Sequence, residues 1–288
     1  METETITPAR RESYLQLLDD PSPAVRQVLL AHFSALGEPA RAFLRETADD
    51  HNRLLARHAK WFLDQLHSAN PVAEFSAFIR SFNYELESGA LLLARTVNPH
   101  LDVGACRATL DEIAARCREL VPEPATAREK CRVINRVLFH EWGFHGNSEH
   151  YTDPLNSLID RVLDRRKGIP ISLSLLYLFV AERIGLELEP IGMPGHFLVG
   201  CFQDDTVFFI DAFDRGVFRD TAEIIELLQA NHMDPQPSDL APTPVREVLC
   251  RCCRNLVNHY HSAGDAVRAG LFAGFVEEFE SAYERHST

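Results

Sequence analysis

The chain has 288 residues, 45% of them hydrophobic and 25% charged, with a formal net charge of −13; on roughly 150 residues per domain this is one large or two modest globular domains. The acidic balance lacks the clustered Lys and Arg that displace counterions from a phosphate backbone, so nucleic acid is not an expected partner. The opening METETITPARRESYLQLLDD has no basic start and apolar core, no run approaches the roughly 20 apolar residues that span a bilayer, and seven dispersed cysteines are no disulfide framework; the expectation is a cytoplasmic protein with reduced thiols and no membrane partner.

In chain order, DDPSPAVRQVLLAHFSALGEPARAFLRETADD spaces Val25, Val28, Leu29, Phe33 and Leu36 at helical intervals and stops at Gly37, which predicts helix, turn, helix. It resembles one unit of a HEAT-type repeat. No second copy follows at a fixed period, so the expected role is a cap or scaffold. VAEFSAFIRSFNYELESGALLLARTV and ACRATLDEIAARCRELV read as one helix each, and the PEPATA that follows is a hinge. The chain is divided there: a helical segment 1–122, an α+β core 123–238 and a helical tail 239–288.

Past the hinge, EKCRVINRVLFHEWGF is helical, and HGNSEHYTDPLNS is a polar, turn-rich loop. RRKGIPISLSLLYLFVAERIG opens a helix at Pro170 and closes it at Gly185. The period then changes. ELEPIG is a short strand, Met193-Pro194-Gly195 a turn, and HFLVGCF and TVFFIDAF are two strands of an antiparallel hairpin. After DRG the chain returns to helix in TAEIIELLQAN, crosses MDPQPSDLAPTPV, and ends in a pair of helices resembling a tetratricopeptide-type (TPR-like) hairpin.

An even loop at 203–206 makes opposed residues sum to one number, so Leu198 faces Asp211 and His196 faces Phe213. His196 and Asp211 then share a face as diagonal neighbours and can hydrogen-bond. An Asp orienting a His is half of a nucleophile-activating triad. The plainer alternative has His196 completing the turn after Gly195 and Asp211 ending its strand.

The basic cluster Arg165, Arg166 and Lys167 stands before the Gly168-Ile169-Pro170 turn. It serves either a surface charge network or an anionic ligand; with Asn156 of the preceding loop, Arg165 and Arg166 are the candidate ligand-binding residues. His140, His145 and His150 recur every five residues, which is no helical face, and Cys250, Cys252 and Cys253 lack a second ligand pair at zinc spacing. No metal or cofactor is expected, because phosphate-loop, dinucleotide and HExxH patterns are missing from the sequence.

YTDPLNSLIDRVLDRRKGIPISLSLLY, PGHFL and FFIDAFDRG together resemble the bacterial, SirB-type branch of the transglutaminase-like superfamily. The resemblance implies a transglutaminase-like (papain-like) α+β core, an antiparallel sheet packed on a central helix between helical flanks. It also implies a catalytic set of a cysteine at the amino end of that helix, a histidine opening one strand and an aspartate on the next. The histidine falls on His196 and the aspartate on Asp211. The cysteine's place, Pro170 to Ser172, holds no cysteine. Ser172 is the candidate replacement, with Ser174 a turn-phase alternative, although a first-turn serine also serves to bond free backbone N–H groups. Two readings stay open. One is a non-catalytic module whose His/Asp cleft, expected at the amino end of the 170–184 helix, binds a peptide, protein or small polar ligand. The other is a hydrolase or acyltransferase using Ser172, His196 and Asp211 on an amide or ester.

Overall fold

The structure is a computed structural model that describes residues 6–20, 22–68, 70–203, 207–230 and 232–284. Its contacts divide the chain into two compact units, 1–74 and 75–288.

The first unit holds α1 (Pro8–Leu18), α2 (Pro23–Leu36), α3 (Glu38–Ala48) and α4 (Arg53–Ser68). Gly37 turns α2 into α3 at φ 65°, a left-handed conformation that glycine adopts without a Cβ clash, and its N–H donates to Phe33. The expected helix, turn, helix is therefore present, and α4 completes a core in which Leu18, Phe33, Leu44 and Phe62 are all but fully buried.

The unit boundary falls within α5 (Pro71–Ser81), which is followed by α6 (Leu86–Arg95) and α7 (Val103–Leu120). The single helix expected over 72–97 is two. Phe82 takes a left-handed φ of 56°, and the Glu85 side chain caps the new helix by accepting from the N–H groups of Glu87 and Ser88. α7 packs on the central helix α10 (Pro170–Arg183), and α6 and α7, which precede the PEPATA hinge, lie in one compact unit with the core.

Between them run α8 (Ala127–Asn135), continued by a π-type turn to Glu141, and α9 (Ile159–Arg165). The loop expected at 145–157 carries more order than its composition suggests: β1 (His145–Gly146) pairs in parallel with β2 (Lys167–Gly168), and Pro154–Ser157 form a 3-10 turn. Residues 170–181 of α10 are buried on every side, as befits a helix that is apolar all round. Tyr177, the bulkiest of them, is satisfied by donating to the Cys131 carbonyl at 3.0 Å.

The sheet has four antiparallel strands in chain order: β3 (Glu189–Ile191), β4 (Leu198–Cys201), β5 (Phe208–Asp211) and β6 (Val217–Arg219). β4 and β5 pair Val199 with Ile210 and Gly200 with Phe209, the register expected from an even loop; residues 204–206 of that loop lie outside the described residues. The short β6 is an addition to the expected hairpin. Side-chain alternation gives the sheet two different faces. Leu198, Phe209 and Ile191 pack with Ile224 and Leu228 of α11 (Thr221–Ala230). The alternate residues of β4 face α10, where Cys201 lies close enough to Tyr177 to perturb it electrostatically. The chain ends in α12 (Val245–Ser262) and α13 (Ala266–Glu284), packed on each other.

Candidate functional site

His196 sits between the left-handed Gly195 and β4, and Asp211 ends β5. Its Nε2 lies 2.9 Å from Oδ2 of Asp211. Asp211 is 4% exposed, and its other oxygen accepts from the Asp214 N–H. Burial pushes the Asp211 carboxyl up, but the hydrogen bond and charge of His196, the Asp214 N–H and the Arg219 guanidinium outweigh it, and the group ends below its ordinary value. An ionised carboxylate only accepts, so Nε2 carries the proton in this bond.

Arg219, on β6 and so on the same face as Asp211, brings its Nε to 3.6 Å from Oδ2 and ties its Nη2 to Asp214 at 3.0 Å. That Nε is buried with no hydrogen-bond partner. Sequence reading missed Arg219 because β6 is three residues long; its one signal was the V-F-R alternation after Gly216.

A cavity of 290 Å3 opens on the pair, bounded by Gly195, Arg219, Asp214, Leu227 and Met233. No residue of the first turn of α10 lines it. This corrects the expected placement: His196 and Asp211 do share a face, but it is the face covered by α11, whereas α10 packs against the alternate residues of β4. The register fixed that the two side chains meet and was silent on which helix they meet under.

Ser172 is 1% exposed. Its Oγ accepts from the Ile169 N–H at 3.0 Å and donates to the Asn156 carbonyl at 2.6 Å; among the described residues it makes no bond to His196. Gly168 permits this, since a Cβ there would stand 2.7 Å from the Ser172 Oγ. Ser174 is fully buried, its Oγ 3.5 Å from the Phe197 carbonyl.

The candidate ligand residues are not brought to the His/Asp cavity. Asn156 is fully buried; its amide donates to the carbonyls of His150 and Tyr151 and accepts from Asn147, which holds the 147–157 loop in shape. Arg165 donates to Asp153 at 2.7 Å. Arg166 caps α9 in a left-handed conformation, its guanidinium 5.5 Å from the centroid of the Trp142 ring.

Two further side chains reach the site from α12, far away in sequence. Arg251 donates to the His196 carbonyl at 2.8 Å and lies over the Phe197 ring. His259 stands 3.4 Å from the Ser157 hydroxyl and edge-on to Tyr151, and burial lowers its pKa against the opposing pull of Asp153. Phe213 joins the two groups, touching His196 and Tyr151 with its ring. Gly146 makes room for that ring, because a Cβ there would come within 2.5 Å of it.

All seven cysteines are buried thiols outside any disulfide. Burial pushes the Cys117 and Cys252 thiols up to about 12 and Cys250 to about 11, the reverse of an activated thiolate. No group of three or more metal-ligating side chains occurs among the described residues, and among them no helix is long and apolar enough to cross a membrane.

The domain thus places a small antiparallel sheet between a buried helix and α11, with a His–Asp pair at the ends of adjacent strands. The transglutaminase-like superfamily model matches residues 104–254, just over half of the chain, and the chain belongs to that family. It is 36% identical to a UPF0162 protein of Xylella fastidiosa over 194 residues, covering 65% of this chain and 69% of that one. A UPF0162 protein of Vibrio cholerae is 34% identical over 40% of this chain and 43% of its own. F-box only protein 21 of Mus musculus is 32% identical over 60% of this chain and 26% of its own. No solved structure matches.

Proposed function

We propose that this chain is a non-catalytic binding module of the superfamily, whose ligand site is the cavity formed by His196, Asp211 and Arg219. One observation carries the reading: the hydroxyl nearest the place of the missing cysteine, Ser172, is buried in bonds to Ile169 and Asn156, on an element that does not line the cavity. An imidazole can activate only a nucleophile within hydrogen-bond reach, directly or through one water.

The cavity suits a small polar ligand or a peptide side chain. Arg219 lines it with a guanidinium that suits an acceptor such as a carbonyl or carboxylate, and Leu227, Leu228 and Met233 supply an apolar wall. The SirB-type branch and a TPR-like role for α12–α13 belong to the same proposal; the first rests on the sequence resemblance, and the second is supported by α12 and α13 packing on each other as a helical pair. A reducing, cytoplasmic setting fits seven cysteines outside any disulfide.

The test is a fragment titration of the full chain followed by NMR of the His196 imidazole. Carboxylate- or amide-bearing fragments should shift its signals, and Arg219→Ala should abolish the shift. A fragment that binds equally well to Arg219→Ala would remove the assignment.

A further inference from the structure

The first unit has a pocket of different chemistry. Arg26 of α2 and Arg57, His58, Trp61 and Phe62 of α4 line a cavity of 270 Å3. The Arg26 guanidinium lies 5.9 Å from the centroid of the Trp61 ring, and Trp61 is 41% exposed. Nδ1 of His58 is buried with no hydrogen bond; Asp19 is 3.9 Å away, within ion-pair range but too far to accept.

The two arginines at this pocket differ from others of the unit, and the Asp19 carboxylate stands nearest to His58. Arg11 and Arg45 of the same unit are each matched by a carboxylate, Glu46 and Glu38 respectively. Arg26 and Arg57 have no carboxylate within 4.0 Å among the described residues, in a chain whose acidic residues outnumber its basic ones by 42 to 29. Both arginines line one small cavity, and an anion bound there would be attracted to both charges.

We infer that this pocket binds a phosphate monoester. Guanidinium forks match the oxygens of a phosphate dianion with paired, charge-assisted hydrogen bonds, and His58 lines the same cavity. Trp61 and Phe62 offer an apolar wall to the carbon side of the ester, which favours a monoester over the free ion. The volume accommodates a phosphate head and a small substituent, so the same chemistry is presented by a phosphorylated metabolite or a phosphorylated side chain.

The experiment is calorimetric titration of the full chain with phenyl phosphate, inorganic phosphate, benzoate and a phosphoserine peptide. Phenyl phosphate should bind more tightly than inorganic phosphate or benzoate. Arg26→Gln and Arg57→Gln should each weaken it by about tenfold or more, and Arg57→Lys, which keeps the charge but not the fork, by less. Tighter binding of the peptide than of phenyl phosphate would assign the site to a phosphorylated protein; equal or weaker binding would assign it to a small molecule. In the Trp142→Phe background Trp61 is the only tryptophan, and its fluorescence should follow the same isotherm. The inference is overturned by no binding of phenyl phosphate up to about 10 mM, by benzoate binding as tightly, or by unchanged affinity in the glutamine variants. If a glutamine variant melts early, Arg57→Lys decides: full affinity there, with phenyl phosphate no better than benzoate, also overturns it.

Discussion

The Ser172 hydroxyl donates to the carbonyl of Asn156 at 2.6 Å, across 16 residues of chain, and accepts from the N–H of Ile169. It fastens the 3-10 turn at 154–157 to the first turn of α10. Ser172→Ala leaves a buried N–H and a buried C=O without this partner, which costs about 1–3 kcal/mol. The expected outcome is a lower denaturant midpoint with an unchanged m-value, and unaltered NMR signals from the His196 imidazole. A shifted His196 with unchanged stability would place Ser172 in the cavity after all.

Gly146 carries a second expectation, because a Cβ would come within 2.5 Å of the Phe213 ring. Gly146→Ala forces that ring away from His196 and Tyr151, at about 1–3 kcal/mol of overpacking. The ring-current shift that Phe213 exerts on the His196 imidazole should diminish in step with the loss of thermal stability. A variant as stable as the wild type with an unmoved ring would show that this close packing is not needed.

Stability should fall on acidification in two windows. The His259 pKa is lowered by burial, so between its folded value and the ordinary 6.5 or so the unfolded chain binds more protons, and stability declines as pH drops below about 6.5. The Asp211 carboxyl is also lowered, so its contribution is complete above about pH 4 and is lost as pH falls through its folded pKa. Melting curves from pH 8 to 3 should show both declines. His259→Gln should flatten the first and Asp211→Asn the second; an unchanged upper window in His259→Gln contradicts the assignment.

Arg251→Gln removes the donor to the His196 carbonyl and uncovers the Phe197 ring. The expected result is faster amide exchange over 195–198 and loss of about 1–3 kcal/mol, with fragment binding at the cavity weakened through His196. Wild-type exchange in that segment would make Arg251 a bystander.

Much of this architecture was legible in the sequence, for identifiable reasons. The His196–Asp211 contact follows from strand alternation and an even loop, which need no knowledge of the rest of the fold. The direction of the pair does not follow, because alternation separates two faces without naming the helix on each. The break at Phe82 has no glycine or proline to announce it, and β6 is too short for a period. Arg251 and His259 lie 55 and 102 residues from their partners His196 and Ser157, and a helical pattern says nothing about such distances. Asn156 and Arg165 carry ligand-like chemistry that the fold directs inward, to carbonyls and to Asp153.

The most direct measurement of the central claim is covalent: the full chain is treated with a fluorophosphonate and, separately, with iodoacetamide, and the modified residues are mapped by mass spectrometry. The binding-module account predicts no adduct on Ser172 and only slow alkylation of the seven buried thiols, identical in wild type and His196→Ala. Rapid stoichiometric labelling of Ser172, or of a single cysteine, that disappears in His196→Ala would contradict it.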